Sequence, residues 1–259
     1  MNAHAGKARS VIVLAFASFL VAAGCSTART GAVPSSTART LPTAPSAVHA
    51  QSVDNCLPVS PRQVEQVADP GGGTLTLAVL GTGPRVVILS EQSDELLCSW
   101  VPFARRLAAA GYRVVLWDFG GGLPADELTA VARHVASKEA TRIVLMGASE
   151  GAKASLVAAA RLGSAVSGAV SLSAETVLNP GIQVADSVRR LHCPLLLVTA
   201  SQDAYDSASA ARQFMALAPS TAKRLVTVPG SDHGTALLSG RSGATTVPAV
   251  IDFLRLVPG

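Results

Sequence analysis

A serine with a glycine two residues to either side, in the pentapeptide GASEG (147–151), follows the apolar run RIVLM (142–146) without a break. At a junction between strand and helix, the pattern G-x-S-x-G holds serine on a sharp, strained turn with its hydroxyl clear of the backbone. The glycines remove side chains that would collide across that turn. A turn built of small residues is the plainer reading, and context separates the two. The next stretch, EGAKASLVAAARLG (150–163), reads as a helix. Ser149 therefore stands at a helix amino terminus, whose backbone N–H groups favour a developing oxyanion.

A serine hydroxyl needs a base to take its proton. Of the five histidines, His4 and His49 fall in the amino-terminal segments, His134 inside a helical pattern and His192 just before an apolar run. His233 alone lies in a loop, PGSDHG, between the apolar run RLVTV (224–228) and the last helical stretch. A carboxylate is required to fix the tautomer of such a base. The run PLLLVTA (194–200) ends in SQDAYD, which offers Asp203 nearest the strand end and Asp206, the latter suited to cap the following helix. Glu175 is a further candidate, and Asp232 adjoins His233 too closely in sequence to fold back onto its ring.

Elements at the right intervals are needed to bring these residues together. TLTLAVL (74–80) alternates like a half-buried strand. VVILS (86–90), RVVLWD (113–118), RIVLM, GAVSLS (168–173), PLLLVTA and RLVTV are near-continuous apolar runs, the mark of strands buried on both faces. Between them lie SWVPFARRLAAAG, LPADELTAVARHVASK, EGAKASLVAAARLG, VADSVRRL and DSASAARQFMALA, all helix-like, and VPAVIDFLRLV (247–257) closes the series. This alternation predicts an α/β fold, a doubly wound and mostly parallel sheet flanked by helices. Such a sheet collects its chemistry beyond the carboxyl ends of the strands.

The order serine, acid, histidine along an alternating chain resembles the α/β-hydrolase superfamily over residues 74–259, with GASEG as nucleophile turn, SQD as acid loop and SDHG as histidine loop. The resemblance implies acyl transfer: Ser149 attacks an ester-like carbonyl, His233 shuttles the proton, Asp203 orients His233, and water releases the acyl group. Relatives carry His-Gly after the strand corresponding to VVILS, where this chain reads SEQSDELLCSW (90–100). The oxyanion donors implied are the backbone N–H of Gln92, or Ser93 if the register slips, and that of Glu150. In place of the glycine a side chain crowds the approach, and Glu91 and Glu150 add negative charge. Only residues 174–193 separate GAVSLS from PLLLVTA, where many relatives insert a lid, so a compact, lidless domain is expected, rimmed by EQSDELL and AETVLNPGIQ.

The amino terminus belongs to targeting. Lys7 and Arg9 precede VIVLAFASFLVAA (11–23), which is short for a bilayer span, and VAAGC resembles the bacterial lipoprotein signal with Cys25 as the lipidated residue, although Ala22 stands where leucine is commonest. Residues 1–24 are expected to be a signal peptide, 25–53 a Ser/Thr/Pro/Ala tether and 54–259 the hydrolase-like domain. An oxidising compartment favours a disulfide between Cys56 and Cys98, and leaves Cys193 a buried thiol. Hydrophobic residues at 49% against 15% charged mark a globular chain, and a net +4 from scattered basic residues gives no nucleic-acid footprint. Cysteine spacing suits no metal, and no phosphate loop or dinucleotide fingerprint implies a cofactor. The expected partners are a small-molecule or cell-envelope ester and the membrane that holds the anchor, at the outer face of a bacterial envelope. The expected function is a lipid-anchored serine hydrolase; the alternative is a non-catalytic lipoprotein using the fold as a binding or scaffold module.

Overall fold

A computed structural model describes residues 51–257 apart from 139 and 141; the segment 1–24 expected to be a signal peptide, Cys25 and the expected tether up to residue 50 lie outside the described residues. The chain enters through a small antiparallel hairpin, β1 (Gln51–Val53) with β2 (Leu57–Val59), so the last three positions assigned to the tether pair with the domain. The main sheet has eight strands: β3 (Val64–Ala68), β4 (Thr74–Leu80), β5 (Arg85–Ser90), β6 (Arg113–Trp117), β7 (Arg142–Ala148), β8 (Gly168–Leu172), β11 (Leu195–Ala200) and β12 (Lys223–Val228). Their spatial order is β12-β11-β8-β7-β5-β6-β4-β3. The strands from β12 to β6 run parallel, while β4 is antiparallel to both its neighbours.

The apolar runs become the parallel strands because helices cover both faces of the sheet. In β5, Val86 and Ile88 point into one core and Val87 and Leu89 into the other, the period of two that a pleated strand imposes. The first core is closed by α2 (Pro124–Ala136), α3 (Glu150–Leu162), the five-residue α4 (Val184–Val188) and α5 (Ser207–Leu217). The second is closed by α1 (Val101–Ala109) and α6 (Gly240–Leu256). Toward the sheet edge, β4 exposes Thr74 and Thr76 and buries Leu75 and Leu77, hence its alternating sequence.

Two elements differ from the sequence reading. The last helix starts at Gly240, seven residues before VPAVIDFLRLV, and contains Pro248 in its interior. A proline there removes one N–H from the helical ladder and looks like a start signal, yet Thr246, Val247 and Val250 on either side of it are buried and hold the helix, which runs on to Leu256. Between β8 and β11 the chain forms a two-residue-per-strand hairpin, β9 (Val177–Leu178) and β10 (Ile182–Gln183), followed by α4, with no further insertion.

A disulfide joins Cys56, in the turn of the first hairpin, to Cys98, in the segment after β5. Cys193 is a half-buried free thiol whose proton affinity burial pushes up to about 11, far from thiolate chemistry.

Charge is segregated along the strand direction. Four parallel strands open on a basic residue, Arg85, Arg113, Arg142 and Lys223. The loops leaving the carboxyl ends carry Glu91, Asp94, Glu95, Asp118, Glu175, Asp203, Asp206 and Asp232 with no lysine or arginine among them. That acidic end is where Ser149 lies. No helix of the described residues is long and apolar enough to cross a membrane.

Candidate active site

Ser149 takes φ 48° and ψ −112° between β7 and α3, a conformation that a non-glycine residue adopts only when its surroundings impose it. They do so through packing. A Cβ on Gly147 would fall 2.1 Å from the carbonyl oxygen of Gly151, and one on Gly151 would fall 2.3 Å from that of Glu91, so the turn and β5 press backbone against backbone. The Ser149 N–H donates to the carbonyl of Leu172 at 2.9 Å, tying the turn to the end of β8. Glu150 occupies the first position of α3, where a backbone N–H has no acceptor within the helix.

The acid and histidine loops meet as a pair. His233 Nδ1 lies 2.8 Å from Asp203 Oδ2, and since a carboxylate only accepts, Nδ1 carries the proton and donates. Asp203 also accepts from the Tyr205 N–H at 3.0 Å and from the Ser207 hydroxyl at 2.5 Å. Burial would raise its proton affinity, but these donors and His233 outweigh it and hold the carboxyl below the usual aspartate value. Asp206 sits at the N-cap of α5 in a left-handed conformation without a side-chain cap bond, and Asp232 accepts from Ser242 at 2.6 Å. Neither contacts the imidazole through a hydrogen bond.

One oxygen of Glu175 lies within reach of both Ser149 and His233, the expected nucleophile and base. The Ser149 hydroxyl donates to Glu175 Oε1 at 3.1 Å, and the same oxygen lies 3.6 Å from His233 Nε2. Glu175 Oε2 pairs with Lys153 Nζ at 2.5 Å, and Lys153 pairs in turn with Glu150 Oε2 at 2.7 Å. Glu150 Oε1 accepts the Asn179 N–H at 3.2 Å, which ties the β9–β10 hairpin to the start of α3. Burial by itself would push the Lys153 ammonium down, yet its two carboxylates hold it above the ordinary lysine value. Sequence reasoning placed Glu175 among candidate acids and missed both its contact with Ser149 and the role of Lys153. The available signals were the position of Glu175 just past a strand and a lysine one helical turn after the serine.

The segment expected to supply an oxyanion donor is tied down on two sides. Gln92 Oε1 accepts the Thr235 N–H at 3.1 Å and Gln92 Nε2 donates to Asp94 at 3.1 Å, linking this segment to the histidine loop. Glu91, 5% exposed, accepts the Phe119 N–H at 2.7 Å, so its charge is directed behind the segment rather than into the cleft. There it meets Asp118, which accepts the Leu97 N–H at 2.5 Å, and Asp54 beyond. Burial and the neighbouring carboxyls push Asp118 up to about 6; sharing a hydrogen bond with Asp118, then partial burial, raises Asp54 to about 6 as well. Burial likewise raises Glu91.

No protein-family model matches the chain, and no curated protein sequence matches it. Solved structures do. The esterase domain of a Rhodothermus marinus protein superposes with a TM-score of 0.61 at 22% identity, covering 75% of this chain and 99% of that one. An esterase from Pyrococcus furiosus gives 0.64 at 15%, covering 76% and 90%, and dienelactone hydrolase from Anabaena variabilis gives 0.59 at 21%, covering 74% and 96%. These neighbours are α/β-hydrolases, and at such identities the likeness is one of architecture. With its mostly parallel sheet flanked by helices, the chain has the α/β-hydrolase fold.

Proposed function

We propose that the protein is a serine hydrolase that cleaves ester-type bonds, a carboxylesterase in the broad sense, held at the outer face of the envelope by lipid on Cys25. The observation that carries the catalytic reading is the Asp203–His233 bond of 2.8 Å, which leaves Nε2 as the acceptor facing Ser149 across a single carboxylate oxygen. A substrate that displaces Glu175 Oε1 lets the Ser149 hydroxyl turn to Nε2. Nε2 takes the proton, Oγ bonds to the carbonyl carbon, and the backbone N–H groups of Glu150 and Gln92 receive the oxyanion. His233 then returns the proton to the departing oxygen, and water repeats the sequence on the acyl-enzyme. Asp203 keeps the imidazole in the required tautomer.

Labelling with a fluorophosphonate probe tests this reading. Wild type is expected to label, Ser149→Ala and His233→Ala are expected not to, and Asp203→Asn is expected to label about ten-thousandfold more slowly because the tautomer is no longer fixed. A folded wild type that stays unlabelled would sink the enzyme reading and leave the binding-module alternative.

A further inference from the structure

We infer that the site takes esters whose alcohol half carries a substituted ammonium, and that Glu175, together with the exposed ring of Tyr205, selects them. The inference rests on the hydrolase reading and names its substrate class. An atom within reach of both the Ser149 hydroxyl and His233 Nε2 occupies the place of the leaving oxygen, because His233 must protonate that oxygen as its bond to the acyl carbon breaks. Glu175 Oε1, 3.1 Å from Oγ and 3.6 Å from Nε2, stands there now. An incoming ester must push this oxygen aside, and its alcohol half then lies against the displaced carboxylate.

That carboxylate is not neutralised. Lys153 is shared between Glu150 and Glu175, so the trio keeps one surplus negative charge, and the loops around it add acids without a compensating lysine or arginine. Against the same imidazole, the Tyr205 ring lies 4.5 Å from that of His233, tilted by 46° and 65% exposed. A large aromatic ring left in solvent beside the histidine suits a weakly hydrated cation, which a ring attracts through its quadrupole. A substituted ammonium on the alcohol satisfies both groups at once. It also offers Glu175 a replacement for its bond to Ser149, so the nucleophile is released to His233 when the cation binds.

The test compares butyrylcholine with 3,3-dimethylbutyl butyrate, its uncharged isostere, on the full-length chain. The expected kcat/KM ratio is about tenfold or more in favour of the cation in dilute buffer and falls as salt screens the charge. In Glu175→Gln the ratio should fall toward one; Lys153 keeps Glu150 as a partner in this variant, so no buried charge is stranded. Equal rates in wild type, a preference for the neutral ester, or a ratio untouched by Glu175→Gln would overturn the inference. Thermal stabilisation by choline against 3,3-dimethylbutan-1-ol reads the cation site without turnover. If no ester is cleaved and Ser149 stays unlabelled, the hydrolase reading has failed. Choline stabilisation that is lost in Glu175→Gln would still support the cation site, and no stabilisation would overturn it.

Discussion

Asp203 and Asp118 carry the same side chain and are driven in opposite directions by their partners. Asp203 collects donors from Tyr205, Ser207 and His233, so its folded state binds a proton less readily than the unfolded chain. Its contribution to stability is present above the ordinary aspartate value and is lost as pH falls through the lower folded value. Asp118 and Asp54 are raised to about 6, so the sign reverses: their cluster is most stable in acid and loses stability as pH rises from about 4 through 6. Asp118→Asn removes one of the competing charges while its amide oxygen can still accept from Leu97. Thermal melts should show the variant more stable than wild type at pH 8, by about 1 kcal/mol after solvent screening, with a flatter profile between pH 4 and 7. A variant less stable at pH 8 would mean that the cluster is held together by its ionised form.

The turn that presents Ser149 depends on contact between backbones, which makes its glycines irreplaceable for a reason separate from chemistry. Gly151→Ala would drive a methyl group into the carbonyls of Ser90 and Glu91, at 2.4 and 2.3 Å, and neither strand end can retreat without opening the sheet. A loss of at least about 3 kcal/mol in denaturant unfolding is expected; a near-neutral variant would show that β5 and α3 can slide apart. These elements were legible because their signals are local. Two-sided burial wrote β5, β7, β8 and β11 as unbroken apolar runs, and the glycines of GASEG announced the turn. The start of α6 was not legible, since Pro248 imitates a helix start, and neither was the β9–β10 hairpin, whose strands are too short to show a period. The bond from Ser149 to Glu175 was invisible for a different reason. It depends on the course of the loop after β8, where Ser173 adopts φ 58°, and serine advertises no such preference.

At the level of the whole domain, the Cys56–Cys98 bridge closes a loop of 42 residues and anchors the entry hairpin to the segment that carries Gln92. Replacing both cysteines with serine should cost about 2–5 kcal/mol, measurable as a lower denaturation midpoint with an otherwise similar transition. An unchanged midpoint would show that the hairpin is held by its packing alone, through Leu57 and Val59 in the second core. The sheet class and the closeness of His233 to Asp203 could be read before the structure, because each of these residues follows its own strand. The pairing of buried Lys153 with two carboxylates could not, because it joins α3 to the loop after β8 across more than twenty residues.

The opposed charges at the two ends of the strands also bear on how copies of the domain meet. A basic pole fits the acidic pole of another copy and repels its own kind, so the attraction is head-to-tail, an arrangement that grows open chains instead of closing into a symmetric pair. In dilute buffer of about 0.01 M the field reaches about 30 Å, and near 0.15 M only about 8 Å. Light scattering is therefore expected to report association at low ionic strength that added salt reverses. Because Ser149 opens on the acidic pole, each stacked copy would be capped by the next, and activity per molecule would fall as the protein is concentrated.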